Sequence, residues 1–508
     1  MNIVLDGTTL NINDICSVID GKPTISIAES AMEKMKLSRS IVERIISNKE
    51  IVYGINTGFG ALAEVEIDDE ELSQLQYNLI RSHACGTGEL MTVGLTRAMM
   101  LIRANSLAKG HSGVQPRLVE GLVDFLNLGI TPCVPEIGSL GASGDLAPLS
   151  HMALPLIGEG FCYGKDGKKI SSREALLSIG LEKIELRAKD GLSLINGTAQ
   201  SSAILCSAAS KIEKLFLMSE IIFCLSLESK NGRIEPFYSN IHHARNHHGQ
   251  GVVAERIFQM ISSSDIMING ENKPVQDPYS FRCVPQIHGP SWDRLRQLKE
   301  ILDIEINSAT DNPLIFPNLR NPGKNEVLSQ GNFHGEVLAL SADALAVSLF
   351  EIASCSERRM DQLLGLNRKL LPPFLAKDSG LESGFMIVHY AAAANLSQLH
   401  GRIHPRGAFS TPTSAGQEDH VSMSATAALN LHQAIDEFST ILACEALIAA
   451  EAIEYAEKSM CPATQQLYDF IREIVPPFAS DKTWSDEIEN VSKQLTKGEW
   501  LAAINIHL

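Results

Sequence analysis

Ala142-Ser143-Gly144, at the centre of GSLGASGDLAPLS (residues 138–150), is a tripeptide able to do chemistry that no standard side chain performs. The backbone nitrogen of Gly144, unhindered because glycine lacks a Cβ, can fold onto the carbonyl carbon of Ala142 and close a five-membered ring. Loss of water from that ring, and of the Ser143 hydroxyl, leaves an exocyclic methylene, which is an electrophile. The reaction asks for a small residue, then one with an eliminable hydroxyl, then glycine, held in a tight bend. Gly138 and Gly141 loosen the approach to it.

Such a bend must be held by regular elements, and the neighbouring sequence supplies them. Asp145 is suited to cap a helix, Pro148 falls in a first turn where a missing N–H costs little, and the apolar run 152–157 follows. That helix would aim the partial positive charge of its N-terminus at the ring. Residues 199–230 contain neither Gly nor Pro and are apolar almost all round, which predicts a buried helix. The same absence over 417–461 predicts a helix of roughly 65 Å at 1.5 Å per residue. Over 336–364, Leu345, Leu349, Ile352, Ser356, Met360 and Leu363 recur at three-and-four spacing. Lengths like these predict a bundle that packs against copies of itself. Asn196-Gly197 precedes the second run and a 414–417 turn the longest, so three helix N-termini converging on Ser143 would make the ring more electron-poor.

Upstream, Asp6-Gly7 between short apolar runs predicts a hairpin, and Met32, Met35, Ile41, Ile45 and Ile46 mark a helix over 29–48. The glycine-rich stretch 53–60 that follows is wrongly spaced for a dinucleotide fingerprint and reads as a loop presenting Tyr53. The expected fold is mainly α: a long-helix bundle core with a more irregular N-terminal half carrying the active-site loops. The division falls near residue 195, with 1–195 holding the Tyr53 and Ala-Ser-Gly loops and 196–508 the oligomerising bundle.

At 508 residues the chain exceeds the roughly 250–300 at which single cores stop growing. A net charge of −17 argues against nucleic acid or an anionic membrane as partner, since both need a basic face, and favours a small soluble substrate. No signal peptide is visible at the N-terminus and no uninterrupted apolar run approaches a membrane span. Ten cysteines are scattered without a CxxC pair, as in a reducing cytoplasm rather than a disulfide or zinc framework. His243 and His247, in HHARNHH, are four apart and could share a metal on one helix, but no third ligand has suitable spacing. The turn reads as solvated, and the ring chemistry requires no metal.

The 138–150 string resembles the signature of the aromatic amino acid ammonia-lyases, which include histidine and phenylalanine/tyrosine lyases and related aminomutases. YGINTGFG (53–60), NLIRSHACGTG (78–88), LINGTAQ (194–200), VQDPYSFRCVPQIHG (275–289), GNFHGE (331–336) and QEDHVSM (417–423) also resemble family segments, in family order, over nearly the whole chain. The resemblance implies that Ala142-Ser143-Gly144 becomes 4-methylideneimidazol-5-one, with Ser143 converted to dehydroalanine and no external cofactor. It implies that Tyr53 and Tyr279 are catalytic, and we favour Tyr53 as base and Tyr279 as a positioning or proton-relay group. Arg282 suits the substrate carboxylate, because its fork binds two oxygens at once. Asn196 and Gln276 match positions that contact the bound amino acid or the ring, and Phe333 lies in a matching segment.

Substrate choice turns on His83, where phenylalanine-specific relatives are apolar while histidine- and tyrosine-specific ones both carry His, and more sharply on Glu418, where the aromatic lyases resemble one another in carrying Gln. A carboxylate can accept an imidazole N–H. Together they imply deamination of histidine to urocanate and ammonia, opening histidine degradation in the cytoplasm. The resemblance further implies a homotetramer whose active sites draw on more than one subunit, and the need for an unprotonated substrate amine predicts an alkaline optimum. Gln398-Leu399-His400 ahead of His404-Pro405, and Gly416 in place of a frequent Asn, depart from the histidine-lyase pattern. Two alternatives are a tyrosine or phenylalanine lyase or 2,3-aminomutase with the same ring, and a non-catalytic helical oligomer. Glu418 speaks against the first, and the intact tripeptide with both tyrosines against the second.

Overall fold

Asn2–Leu5 turns Ile3 and Leu5 inward, and pairs in parallel with Thr24–Ile27, Asn2 opposite Thr24. The expected hairpin across Asp6-Gly7 does not form. Asp6 Oδ1 accepts the Thr8 and Thr9 N–H groups at 2.7 and 2.9 Å, and Asn11 with Asp14 makes a capping box that opens the helix Ile12–Asp20. Local side-chain bonds thus start a helical crossover, the connection that parallel strands require.

The computed structural model describes residues 2–58, 60–164, 167–318, 321, 326–365 and 371–504. Phe59 of the glycine-rich loop and the extreme C-terminus lie outside the described residues. The fold is mainly α, 62% helical, with strands confined to three pairs and one three-stranded sheet among the described residues. Helices Glu29–Ser47 and Glu336–Leu364 follow the periodicity that predicts them, and Ala199–Ser229 fills the stretch free of Gly and Pro. The 417–461 run does not form one helix. Helical structure begins at Ser424 and ends at Ala452, 29 residues or about 43 Å. Upstream, Ser414, Ala415, Gly416 and Met423 all have left-handed backbone, which an α-helix cannot contain. Downstream, Ile453–Tyr455 tightens to a 3-10 turn and Ala456 is extended.

The chain makes two compact units from interleaved segments, and most of the boundaries fall inside long helices. The first comprises Met1–Ser207, Leu298–Ala342 and Pro405–Leu429. One of its cores gathers Ile41, Val42, Ile45, Ile55, Leu72, Ala188 and Ile315, so Ile55 anchors the glycine-rich loop two residues after Tyr53. Two sets of fully buried charges in this unit are paired: Lys189 Nζ lies 2.7 Å from Asp311, and Asp190 holds Arg39 and the Gln115 N–H.

The second unit comprises Ala208–Gln297, Asp343–His404 and Asn430–Leu508. Its helices are joined by buried polar pairs. Arg359 forks onto Glu445, which also accepts Ser226 Oγ, and Glu220 accepts from Arg256 and Trp292. Glu336–Leu364 is long and apolar enough to cross a membrane, yet half its apolar stretch is buried and its Arg359 side chain is fully enclosed on Glu445, as in a core helix. Left-handed Asn246 ends the helix Ser239–Arg245 before His247, so His243 and His247 do not share a helix face.

Candidate active site

The Ala-Ser-Gly loop is held by backbone on both sides. The Asp145 N–H donates to the Gly197 carbonyl at 2.7 Å, and Gly144 pairs with Gly197 as a parallel bridge. Gly144 has φ +71°, and a Cβ there would lie 2.2 Å from the Gly197 oxygen, so only glycine fits. A Cβ on Gly197 would in turn meet Arg103 Nη1 at 2.4 Å. Asn196 Nδ2 donates to the Ser143 carbonyl at 3.0 Å. From the other side, Ser422 Oγ and the Gly335 N–H donate to the Gly141 carbonyl, and the Met423 N–H donates to that of Leu140.

These bonds bring the N-termini of Leu146–Ala153, Ala199–Ser229 and Ser424–Ala452 to one loop, and Glu336–Leu364 adds a fourth. Their partial positive ends share one anion-favouring region.

Asp145 does not cap its own helix as the sequence implies. Its Oδ2 accepts the Ser201 N–H at 2.9 Å, and its Oδ1 accepts Ser139 and Ser201 hydroxyls at 2.8 and 2.9 Å, so it caps the 199–229 helix instead. Burial pushes its carboxyl up despite those donors.

Ser143 opens into a cavity of about 770 Å³ within the first unit, lined also by Tyr53, His83, Asn196, Phe333 and Glu418. Glu418 Oε1 accepts the Ser143 hydroxyl at 2.9 Å, and its Oε2 accepts Thr413 Oγ1 at 2.8 Å. The left-handed 414–416 turn, closed by the Thr413 N–H on the Glu418 carbonyl, brings that carboxylate to Ser143. Gly416 has φ +87° with open space around it, a conformation that Gly and Asn both adopt. His83 ends the helix Leu72–His83, with Nδ1 2.8 Å from the Leu79 carbonyl, so the proton sits on Nδ1 and Nε2 is an acceptor. Burial lowers the His83 pKa, opposed by the Leu79 hydrogen bond and the Glu418 charge, and favours the neutral ring. The Tyr53 hydroxyl lies 3.5 Å from the Gly60 nitrogen. Among the described residues the buried Asn196 Oδ1 has no hydrogen-bond partner, and is free to take an N–H from a ligand.

Gln276, Tyr279 and Arg282 form a cluster of their own in the second unit. The Arg282 guanidinium stacks on the Tyr279 ring at 4.6 Å, and the Gln276 amide oxygen, turned towards it, lies 2.7 Å from Nη2. Tyr279 is 69% exposed in the single chain.

Sequence reasoning passed over His334 and His420, which also line the cavity. Each sits inside a segment quoted above, GNFHGE and QEDHVSM, where Phe333 and Glu418 drew the attention. It also missed Arg103, fully buried under Gly197, whose pKa burial lowers to about 10.

The aromatic amino acid lyase family matches residues 10–473. The chain is 44% identical to the histidine ammonia-lyase of Geobacillus thermodenitrificans, over 97% of each chain. Among solved structures, histidine ammonia-lyase from Trypanosoma cruzi matches with a TM-score of 0.91 at 35% identity, over 99% of this chain and 95% of that one. Tyrosine aminomutase from Streptomyces globisporus matches at 0.93 and 34%, over 99% and 98%.

Proposed function

The chain belongs to the aromatic amino acid lyase family, and from that premise we propose that it removes ammonia non-oxidatively from L-histidine, leaving urocanate. It is a carbon–nitrogen lyase. The observation that carries the choice of histidine is the Glu418 carboxylate, 2.9 Å from the Ser143 hydroxyl inside the cavity. An imidazole N–H placed beside Ser143 finds a charged acceptor in Oε1, whereas a phenyl ring would leave that oxygen without a partner once the Ser143 hydroxyl is lost.

Ala142-Ser143-Gly144 fits the family's 4-methylideneimidazol-5-one: Gly144 is left-handed with no room for a Cβ, and the Ser143 hydroxyl already points at a carboxylate. When formed, that group supplies the electrophile that loosens both the amine and the β-proton of a bound amino acid.

The side chains divide the remaining work. Tyr53 takes the β-proton, its oxygen lying on the cavity wall near the Gly60 N–H. Neutral His83 offers Nε2 as an acceptor, and the unpaired Asn196 Oδ1 accepts from the substrate amine. Phe333 packs against the ring of the substrate. Arg282, with Gln276 bonded to it, binds the carboxylate, and Tyr279 relays or positions the proton. In the homotetramer we propose, such residues come to a site from another copy. The exposed Tyr279 supports that arrangement, since a large aromatic group is left open to be covered. A cytoplasmic location accords with ten free cysteines.

The test is ultraviolet detection of product from purified protein at alkaline pH, with histidine, tyrosine and phenylalanine offered separately. Urocanate from histidine alone is the expected result. Coumarate or cinnamate would overturn the role given to Glu418. Isomerisation to a β-amino acid would move the chain towards the aminomutases, whose fold it shares.

A further inference from the structure

We infer that His334, Glu336 and His420 form a site for a divalent first-row transition ion, Zn²⁺ foremost, in the wall of the Ser143 cavity. The inference rests on side-chain geometry and is independent of the reaction proposed above. His334 lies in the turn before the helix Glu336–Leu364, Glu336 is the first residue of that helix, and His420 lies four residues before the helix Ser424–Ala452. One ligand atom from each residue falls within 4.8 Å of the others.

The atoms are arranged as ligands rather than as hydrogen-bond partners. Glu336 Oε2 is 4.0 Å from His334 Nδ1 and 3.7 Å from His420 Nε2, beyond hydrogen-bond reach of both. That oxygen is buried and has no hydrogen-bond partner among the described residues. A carboxylate oxygen shut off from water with nothing to accept from is costly, and it here faces two ring nitrogens. His334 Nε2 lies 3.4 Å from the His420 carbonyl, which can only accept, so the ring proton sits on Nε2 and the Nδ1 lone pair faces Glu336. A second ring nitrogen bonded to a backbone carbonyl is the outer-shell arrangement that fixes metal-binding histidines. The two ring planes are 7° apart with centroids at 5.8 Å, and the exposed His420 ring has room to turn its Nε2 onto an ion held by His334 and Glu336.

The Glu336 oxygen and the His334 Nδ1 lone pair face each other with no proton between them, and a cation relieves that repulsion. Two imidazoles and a carboxylate are the three-ligand set of open zinc sites, and suit zinc and its neighbours better than magnesium or calcium. Around a tetrahedral ion with bonds of about 2.0–2.1 Å, adjacent ligand atoms stand roughly 3.3 Å apart. The separations from Glu336, 3.7 and 4.0 Å, and that between the two imidazoles, within 4.8 Å, would have to shorten to that value through side-chain rotation as the ion binds. Because His334 and His420 line the cavity, the fourth position is open to it. The ion would tie residues 331–336 to 417–420, the two segments that also carry Phe333 and Glu418.

A proton on either imidazole is the competing occupant, and metal titration separates the two. The full-length protein, stripped with a chelator and exchanged into chelator-free buffer, is titrated with Co²⁺ and then Zn²⁺. The expected result is one Co²⁺ per chain with the visible absorption of a low-coordinate site, displaced by Zn²⁺, and a Tm raised by Zn²⁺. Glu336→Gln and His420→Ala should each weaken Co²⁺ binding at least tenfold and remove the Tm response, while His247→Ala in the exposed histidine-rich turn should change neither. Absence of saturable uptake by the wild type, or wild-type Co²⁺ absorption in Glu336→Gln, overturns the site. Glu336→Gln keeps side-chain size, so it decides the question even if His420→Ala does not fold.

Discussion

Asp145 Oδ2 accepts the backbone N–H of Ser201 at 2.9 Å, so the residue that follows the Ala-Ser-Gly tripeptide caps a helix it does not belong to. The same carboxylate takes the Ser139 and Ser201 hydroxyls, which ties the loop at 139, 145 and 201 to one fully buried group. Asp145→Ala strands those donors. The cap alone is worth about 1–2 kcal/mol, visible as a lowered Tm. Because the bend depends on the same bonds, intact mass should show a chain that has kept both waters which ring formation expels. Ser143→Ala, with no hydroxyl to eliminate, gives the reference mass and no product, and its fold should remain intact. An Asp145→Ala chain lighter by two waters would show that the bend survives without the cap.

Two glycines should respond oppositely to substitution. At Gly197 a Cβ meets Arg103 Nη1 at 2.4 Å and Thr310 Oγ1 at 2.6 Å, Arg103 is fully buried, and φ is +154°, a backbone conformation that L side chains rarely adopt. Gly197→Ala should therefore cost about 1–3 kcal/mol and displace the Asp145 N–H bond beside Ser143. At Gly416 nothing lies within 4 Å of the added Cβ. Asn also adopts left-handed backbone, so Gly416→Asn should leave stability within about 0.5 kcal/mol of wild type. Thermal melts of the two variants side by side check both expectations.

The contrast also shows what was legible in the sequence. Helix 336–364 could be read because its apolar residues recur at helical spacing, and helix 199–229 because nothing in it breaks a helix. The start at Ser424 could not be read. Residues 417–423 contain no Gly or Pro, and the helix is held off by tertiary bonds: Glu418 to Ser143, Ser422 to Gly141, and the Met423 N–H to Leu140. The same limit applies to Asp145, whose type announced a cap without saying of which helix. The tripeptide, the Tyr53 loop and Glu418 stood out by residue type and family likeness, but their meeting around one cavity depends on side chains far apart in the chain. His334 and His420 went unnoticed because neither makes a spacing pattern with a nearby ligand.

Acid should unfold this protein partly through His432. Its ring is largely enclosed and faces Lys211 Nζ at 3.3 Å, and burial together with that charge lowers its pKa from 6.5 to about 4. A depressed pKa means the unfolded chain takes up the proton first. The stabilisation from keeping His432 neutral is thus fully present above about pH 6.5, and is lost as pH falls towards 4. The shift corresponds to about 3 kcal/mol. His432→Gln keeps an acceptor for Lys211 but cannot titrate, so its Tm should fall less than that of wild type between pH 7 and pH 5. Parallel melting curves at both pH values would reveal the other outcome, an unchanged difference, in which case His432 does not govern acid stability.

Glu418→Gln tests the substrate reading at the atoms that carry it. Once ring formation has removed the Ser143 hydroxyl, the partner left to the carboxylate is Thr413 Oγ1, 2.8 Å from Oε2, a hydroxyl able to turn and accept from an amide. The variant should therefore keep its fold and its Tm. What it loses is the charge offered to an imidazole N–H, and a hydrogen bond to a charged group is worth about 1.5–3 kcal/mol, or about 10–100-fold in kcat/KM. That loss should appear with histidine as substrate and not in the affinity of phenylalanine as a competitive inhibitor, which offers no N–H to accept. It should fall mainly on KM if the bond is already made in the ground state, and on kcat if it tightens as the reaction proceeds. Equal losses for both amino acids would mean that Glu418 acts on the tripeptide beside it rather than on the substrate ring.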